Sequence, residues 1–256
     1  MNCIVRVNKT LADDYFYLSL EPATPLGGIR PGSFVMIRCS HWVDPFLRRP
    51  MSVADFEPDG SRFGLIVKMA GRGTQLLSTL VPWDHVDVLG PFGSGFEIPD
   101  GAGRVWLVAG GTGIAPFLGL VENTAEGAAE FTLFYGAGTA DHLLCVDRFS
   151  DRGARVVTAT EDGSEGFTGF VTSPLVEAFD RGEKPDVVFA CGPAAMMRET
   201  ARICGERGTR CFVSLENRMA CGFGACLGCV TKVADGHGYV TVCRKGPVFD
   251  AAEVEI

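Results

Sequence analysis

The chain has 256 residues, 46% of them hydrophobic and 21% charged, with 33 glycines and 10 cysteines. That apolar content excludes a disordered chain, and a net charge of −8 argues against a nucleic-acid groove, which needs clustered Lys and Arg. The length fits one large domain or two to three small ones.

The opening MNCIVRVNKTLADDYF has polar residues every few positions and so lacks a signal peptide's apolar core. Residues 1–99 then read as mostly β. The runs CIVRVN (3–8), YFYLSL (15–20), SFVMIRC (33–39), MSVADF (51–56), FGLIVKM (63–69) and VDVLG (86–90) are rich in β-branched and aromatic residues. Gly, Pro and Asp separate them, a spacing that predicts a small antiparallel barrel. One helical piece, TQLLSTL (74–80), interrupts the strands. In FLRRPMS (46–52), Arg49 followed by Pro50 and Ser52 suits a pyrophosphate, through charge-assisted bonds and a hydroxyl. The competing reading is a solvated turn. GRGT (71–74) leads into the helical run, where Thr74 is expected to cap the helix and leave N–H groups for a second phosphate.

The pattern changes after Pro99. RVWLVAG (104–110), FTLFYG (131–136), RVVTAT (155–160), DVVFACG (186–192) and RCFVSL (210–215) are near-continuous apolar strands, with helix-like segments such as 194–207 between them. This alternation predicts a parallel sheet with helices on its faces. The uncharged run at 105–121 is slightly short of the ~20 residues of a membrane span. Its four glycines and one proline indicate a buried strand, a tight loop and a helix start instead. The chain is therefore expected to be soluble and cytoplasmic.

Within that run lies AGGTGIAP (109–116). Gly110, Gly111, Thr112 and Gly113 let backbone approach a ligand at a helix start, although GG-x-G-x-x-P is not the G-x-G-x-x-G dinucleotide fingerprint. A second turn, Cys191, Gly192 and Pro193, also ends a strand before a helix. Both turns open onto the carboxyl edge of a parallel sheet, where a dinucleotide can lie across them; taken singly, each is an ordinary tight connection. GAGTADHLLCVD (136–147) contains no Lys or Arg to meet a 2′-phosphate, which favours NAD over NADP.

The last forty residues are Cys- and Gly-rich, giving a third module. Their spacing, Cys221-x4-Cys226-x2-Cys229-x13-Cys243, agrees with the plant-type [2Fe–2S] pattern. Zinc and a redox dithiol are the alternatives, but zinc sites usually carry two C-x2-C pairs and only 226–229 forms one. Stable disulfides are rare in the cytoplasm. Gly222, Gly224, Ala225 and Gly228 suit a tight loop that brings N–H groups toward sulfur. The other six cysteines read as small apolar residues. His41, His85, His142 and His237 are scattered, and neither a GxSxG elbow nor a paired-carboxylate signature suggests hydrolysis.

The barrel with RRPMS and GRGT, followed by GGTGIAP and CGP, resembles the ferredoxin–NADP reductase superfamily. The ending is narrower: SLENRMACGFGACLGCV and VCRKGPVFDAAEV resemble the electron-transfer subunits of NAD-dependent dihydroorotate dehydrogenases, and the likeness covers essentially the whole chain. One departure is Thr112, where relatives often carry Gly or a smaller residue. The resemblance implies FAD on Arg49, Pro50, Met51 and Ser52, on Ile66, Val67 and Lys68, and on the phosphate turn Gly73–Thr74. It implies a nicotinamide nucleotide at Gly110 to Gly113 and Cys191 to Pro193, and a [2Fe–2S] cluster on Cys221, Cys226, Cys229 and Cys243. The modules are then 1–99 for FAD, 100–212 for NAD and 213–256 for the cluster.

By the same resemblance, an FMN-containing catalytic subunit oxidises dihydroorotate and passes electrons to the cluster, then FAD, then NAD⁺, in a heterotetramer with two of each subunit that serves pyrimidine biosynthesis. FAD is the needed converter, because nicotinamide takes two electrons together and the cluster moves one at a time. The chain lacks the length and pattern of the eight-fold barrel that would bind dihydroorotate, so no catalytic residue for that step is expected in it. An electron-exchanging interface is expected near 221–229, where Phe223 and Leu227 either supply apolar contact around the cluster or shield it from water. The alternatives are a subunit of an NAD(P)H:ferredoxin-type reductase or sulfide dehydrogenase, and a zinc-bound interaction module without flavin chemistry.

Overall fold

Alternating strands in the first third of the chain close on themselves. The computed structural model describes residues 1–40 and 42–256, so His41 lies outside the described residues. Strands β1 (Asn2–Ala12), β2 (Tyr15–Pro22), β3 (Phe34–Ile37), β4 (Arg49–Phe56), β5 (Phe63–Lys68) and β6 (His85–Phe92) form a closed antiparallel barrel in the order β1-β2-β5-β4-β3-β6. Successive side chains on a strand face opposite sides, and so Phe16, Leu18 and Leu20 of β2 all enter the barrel core with Val35, Ile37 and Leu65.

Helix α1 (Arg72–Ser78) lies between β5 and β6 and buries Leu77 against that core. It starts two residues earlier than the sequence suggested, and Gly71, not Thr74, is its N-cap. Thr74 sits one turn in and reaches back: its Oγ1 accepts from the N–H of Ala70 at 3.0 Å and of Gly71 at 3.2 Å. The misreading has a simple cause, since a glycine can start a helix without supplying any side-chain signal.

The second unit alternates β7 (Arg104–Gly110), α2 (Ala115–Asn123), β8 (Glu130–Ala137), α3 (Val146–Asp151), β9 (Arg155–Thr160), β10 (Phe167–Thr168), α4 (Thr172–Asp180), β11 (Val187–Cys191), α5 (Ala194–Glu206) and β12 (Arg210–Ser214). The uncharged run at 105–121 is indeed a strand, a tight turn over Gly111–Ile114 and a helix, with Val105, Leu107 and Phe117 fully buried. After a hairpin of β13 (Val230–Lys232) and β14 (Tyr239–Thr241) come α6 (Val242–Lys245) and β15 (Val248–Asp250).

The main sheet runs β10-β9-β8-β7-β11-β12-β15, parallel throughout except for β15. Its order reverses between β7 and β11, the topological switch point where open parallel sheets bind ligands. β15 comes from the cysteine-rich end of the chain, yet pairs antiparallel with β12 and completes the edge of the nucleotide sheet.

One apolar core joins all three regions. Phe34 and Met36 of β3, Trp106 and Val213 of the sheet, and Cys229, Cys243 and Phe249 of the C-terminal region belong to the same buried cluster. A polar strut adds to it: Arg148 of α3 bonds Asp55 of β4 at 2.7 Å and Glu122 of α2 at 2.8 Å, while Tyr17 donates to Asp55 at 2.8 Å. No helix among the described residues is long and apolar enough to cross a membrane.

Candidate functional site

The carboxyl ends of β7, β8, β9, β11 and β12 meet along one edge of the sheet. Parallel register sets Ala109 and Ser214 beside Cys191, Gly136 beside Gly110, and Ala137 beside Thr160. The two glycine turns are therefore neighbours, packed backbone to backbone. A Cβ on Gly113 would lie 2.0 Å from the Cys191 carbonyl oxygen. Gly113 accordingly faces no cavity and acts through this packing, whereas Gly110, Gly111 and Thr112 line open space.

Three cavities follow one another along that edge. The first, about 480 Å³, is lined by Pro50, Met51 and Ser52 of β4 and Ile66, Val67 and Lys68 of β5, facing Thr112 and Cys191 across the gap. The β4 and β5 residues singled out for a flavin are thus brought together against the nucleotide turns. The second, about 440 Å³, joins Lys68 to Gly110, Gly111, Thr112, Gly192 and Pro193. The third, about 380 Å³, is lined by Gly110, Gly111 and Pro193 together with Gly136, Gly138, His142, Glu161, Phe170 and Glu199. Its lining contains two carboxylates and no Lys or Arg, unfavourable surroundings for a 2′-phosphate.

Arg49, Gly73 and Thr74 lie beyond the first cavity's lining. A Cβ on Gly73 would stand 3.4 Å from Arg49 Nε, so the guanidinium lies beside the start of α1. Its neighbour Arg48 is committed elsewhere, bonding the Asp87 backbone carbonyl at 2.8 Å and the Asp87 carboxylate. Arg49 itself donates to the Leu47 carbonyl and has no carboxylate partner among the described residues.

The cysteine loop follows β12. Its N–H groups point at sulfur as the small residues require: Cys226 N–H to Cys221 Sγ at 3.5 Å, Gly228 N–H to Cys226 Sγ at 3.4 Å, and Cys243 N–H to Cys229 Sγ at 3.4 Å. Gly222, at φ 83°, is pressed against Met36, and a Cβ there would lie 2.4 Å from Met36 Cγ. Only glycine takes this turn at this distance. Burial pushes the Cys221 thiol up, but the Cys226 and Phe223 backbone N–H groups, the Cys226 side chain and the Ala225 N–H outweigh it and bring it to about 6. Burial and then the adjoining Cys229 thiol push Cys243 up to about 12.

These contacts set the four cysteines in two pairs, 221 with 226 through the Cys226 N–H and 229 with 243 through the Cys243 N–H. Two irons that take two thiolates each fit such pairs. Cys229 and Cys243 are buried, whereas Cys226 is exposed.

The model of the iron-sulfur cluster binding domain of dihydroorotate dehydrogenase B matches residues 216–255, and that of the oxidoreductase NAD-binding domain matches residues 107–202. The dihydroorotate dehydrogenase B (NAD(+)) electron transfer subunit of Caldanaerobacter subterraneus subsp. tengcongensis is 42% identical over 256 residues, covering 99% of this chain and 98% of the relative. That of Desulforamulus reducens is 38% identical over 247 residues, covering 95% and 94%. The chain belongs to this family. Among solved structures, that of an NADH-dependent reduced ferredoxin-NADP oxidoreductase, studied for flavin-based electron bifurcation, aligns with a TM-score of 0.88 at 33% identity over 99% of this chain and 89% of that one. The cytochrome P450 reductase GcoB of Amycolatopsis aligns with a TM-score of 0.69 at 27% identity over 81% and 66%. The family assignment carries an iron–sulfur domain and an NAD-binding oxidoreductase domain with it.

Sequence motifs missed one part of the cleft. Ser214 to Met219, leading from β12 to the cysteines, lines the first cavity, and its Leu215, Glu216 and Asn217 line the second as well. The signal was available, because this segment leaves the carboxyl end of a strand beside both glycine turns. Glu216 is exposed at the cleft, and partial desolvation by the protein packed near it raises its carboxyl above the ordinary value.

Proposed function

We propose that this chain is the electron-transfer subunit of an NAD⁺-dependent dihydroorotate dehydrogenase, passing electrons from an FMN-containing catalytic subunit to NAD⁺ in pyrimidine biosynthesis. When bound, the [2Fe–2S] cluster supplies single-electron transfer, and FAD exchanges electrons singly with it and in pairs with NAD⁺. The modules are 1–99 for FAD, 100–212 for NAD and 213–256 for the cluster. The observation that carries this reading is the pairing of the four cysteines by N–H···S contacts inside the segment 216–255, one short connection away from the cleft.

In this reading Cys221, Cys226, Cys229 and Cys243 hold the cluster. Pro50, Met51, Ser52, Ile66, Val67 and Lys68 hold the flavin ring system, with Arg49, Gly73 and Thr74 at its phosphates. Gly110, Gly111 and Thr112, with Cys191, Gly192 and Pro193, hold the nicotinamide nucleotide, and Gly113 keeps the two turns in contact. The exposed side chains of Phe223 and Leu227 flank the exposed Cys226 and form the contact with the catalytic subunit. The assembly is two of each subunit, in the cytoplasm.

The test is reconstitution under anaerobic conditions with the FMN-containing dihydroorotate dehydrogenase encoded in the same genome. Dihydroorotate-dependent NADH formation that requires both proteins is the expected result. Electron exchange with ferredoxin in place of that partner would assign the chain to the ferredoxin-reductase alternative.

A further inference from the structure

Reducing NAD⁺ to NADH takes two electrons and one proton. A cluster delivers electrons alone, so a proton must reach the flavin from elsewhere each time: FAD + 2 e⁻ + H⁺ → FADH⁻, after which both electrons and that proton pass to NAD⁺. This requirement rests on the cofactor reading above, and it asks which group of this chain holds the proton.

The first and second cavities share Lys68, Thr112, Leu215, Glu216 and Asn217. Lys68 is engaged, 3.4 Å from Asp14 and stacked over the Tyr15 ring at 5.2 Å. Thr112, Leu215 and Asn217 have no proton to give near neutral pH. The Glu216 carboxylate, exposed where the two cavities meet, forms no hydrogen bond or ion pair with any described residue. The other titratable or charged groups of the two linings are less suited. Cys191, whose thiol burial pushes up to about 12, and Arg218 line the first of these two cavities and not the second, whereas Tyr15, Glu255 and the C-terminal Ile256 line the second and not the first.

We infer that Glu216, standing unpaired where the flavin and nicotinamide cavities meet, holds the proton that the flavin takes up when it is reduced by electrons from the cluster. The carboxylic acid gives its proton to the flavin and becomes a carboxylate, and water in the open cleft then restores the acid. The protein packed around it raises this carboxyl above its ordinary value, the direction that favours holding a proton.

The test uses the reconstituted complex with Glu216→Gln and Glu216→Asp. Its first readout is equilibrium proton uptake, from the pH dependence of the flavin midpoint potential. Wild type is expected to take up more than one proton per two electrons in the window where the carboxyl titrates, because the anionic reduced flavin raises the proton affinity of its neighbour. E216Q is expected to take up one throughout. The second readout compares two ways of reducing the flavin. Reduction by dihydroorotate through the cluster needs the proton and should slow by roughly 10²-fold in E216Q. NADH brings its own hydrogen and should slow by much less, while E216D restores part of the cluster-driven rate. Identical proton uptake in wild type and E216Q, or equal slowing in both directions, would overturn the inference. A purified complex whose chain carries no flavin would instead defeat the functional reading on which it rests.

Discussion

Gly113→Ala tests the geometry that brings the two nucleotide turns together. The added Cβ would lie 2.0 Å from the Cys191 oxygen, 2.4 Å from its carbonyl carbon and 2.8 Å from Gly192 nitrogen, where real contacts essentially never fall below 3.0 Å. All three atoms are backbone, so no side chain can rotate away and the turns must separate by about 1 Å. Overpacking of this kind costs about 1–3 kcal/mol. The rigidity of the contact places it toward about 3, a fall in Tm of roughly 6–12 °C for a chain of this size. A misplacement near 1 Å between the groups that align two reactants costs on the order of 10²-fold in rate. NADH oxidation with ferricyanide as acceptor, together with calorimetry, reads both effects. Gly205→Ala in α5 is the control, because its Cβ meets nothing within 4 Å; it should stabilise by about 0.5–1 kcal/mol. A Gly113→Ala protein with unchanged Tm and unchanged kcat/KM for NADH would refute the reasoning.

Other consequences follow from the same structure. Arg148→Met removes the strut between barrel and sheet, leaving Asp55 and Glu122 partly buried without their cation. The expected loss is about 2–3 kcal/mol by denaturant titration, below the cost of a fully buried pair because these groups keep some contact with water. Arg148→Lys should recover part of it, and a midpoint identical to wild type in Arg148→Met would show the strut to be energetically idle. Glu161→Gln takes one of two carboxylates out of the third cavity and should raise kcat/KM for NADPH relative to NADH by about tenfold, the effect of about 1.4 kcal/mol. An unchanged ratio would place the adenosine end of the nucleotide elsewhere.

Much of this architecture was legible in the residues. The six runs of the barrel and the five apolar strands of the sheet carry the periodicity and turn signals that backbone sterics impose, and CGP and GGTGIAP sit at strand ends where the sheet opens. What escaped was non-local. β15 is three residues long and owes its existence to pairing with β12. Arg148 and Asp55 lie 93 residues apart and meet only because α3 packs against the barrel. Thr74 resembled a cap because glycine starts α1 without a side-chain signal. SLENRM carried only a family resemblance, and its place in the cleft comes from the strand it leaves. The cysteines lay at the other extreme, since their spacing alone nearly determines the loop that carries them.

The most direct test of the central claim is Cys226→Ala in the reconstituted complex. Turnover from dihydroorotate to NAD⁺ is followed beside NADH oxidation by an artificial acceptor that takes electrons from the flavin. If the cluster joins the catalytic subunit to the flavin, dihydroorotate-dependent NADH formation is abolished while flavin-dependent NADH oxidation persists. Survival of dihydroorotate-to-NAD⁺ turnover in a protein shown to have lost its iron would place the cluster off the electron path and contradict the account.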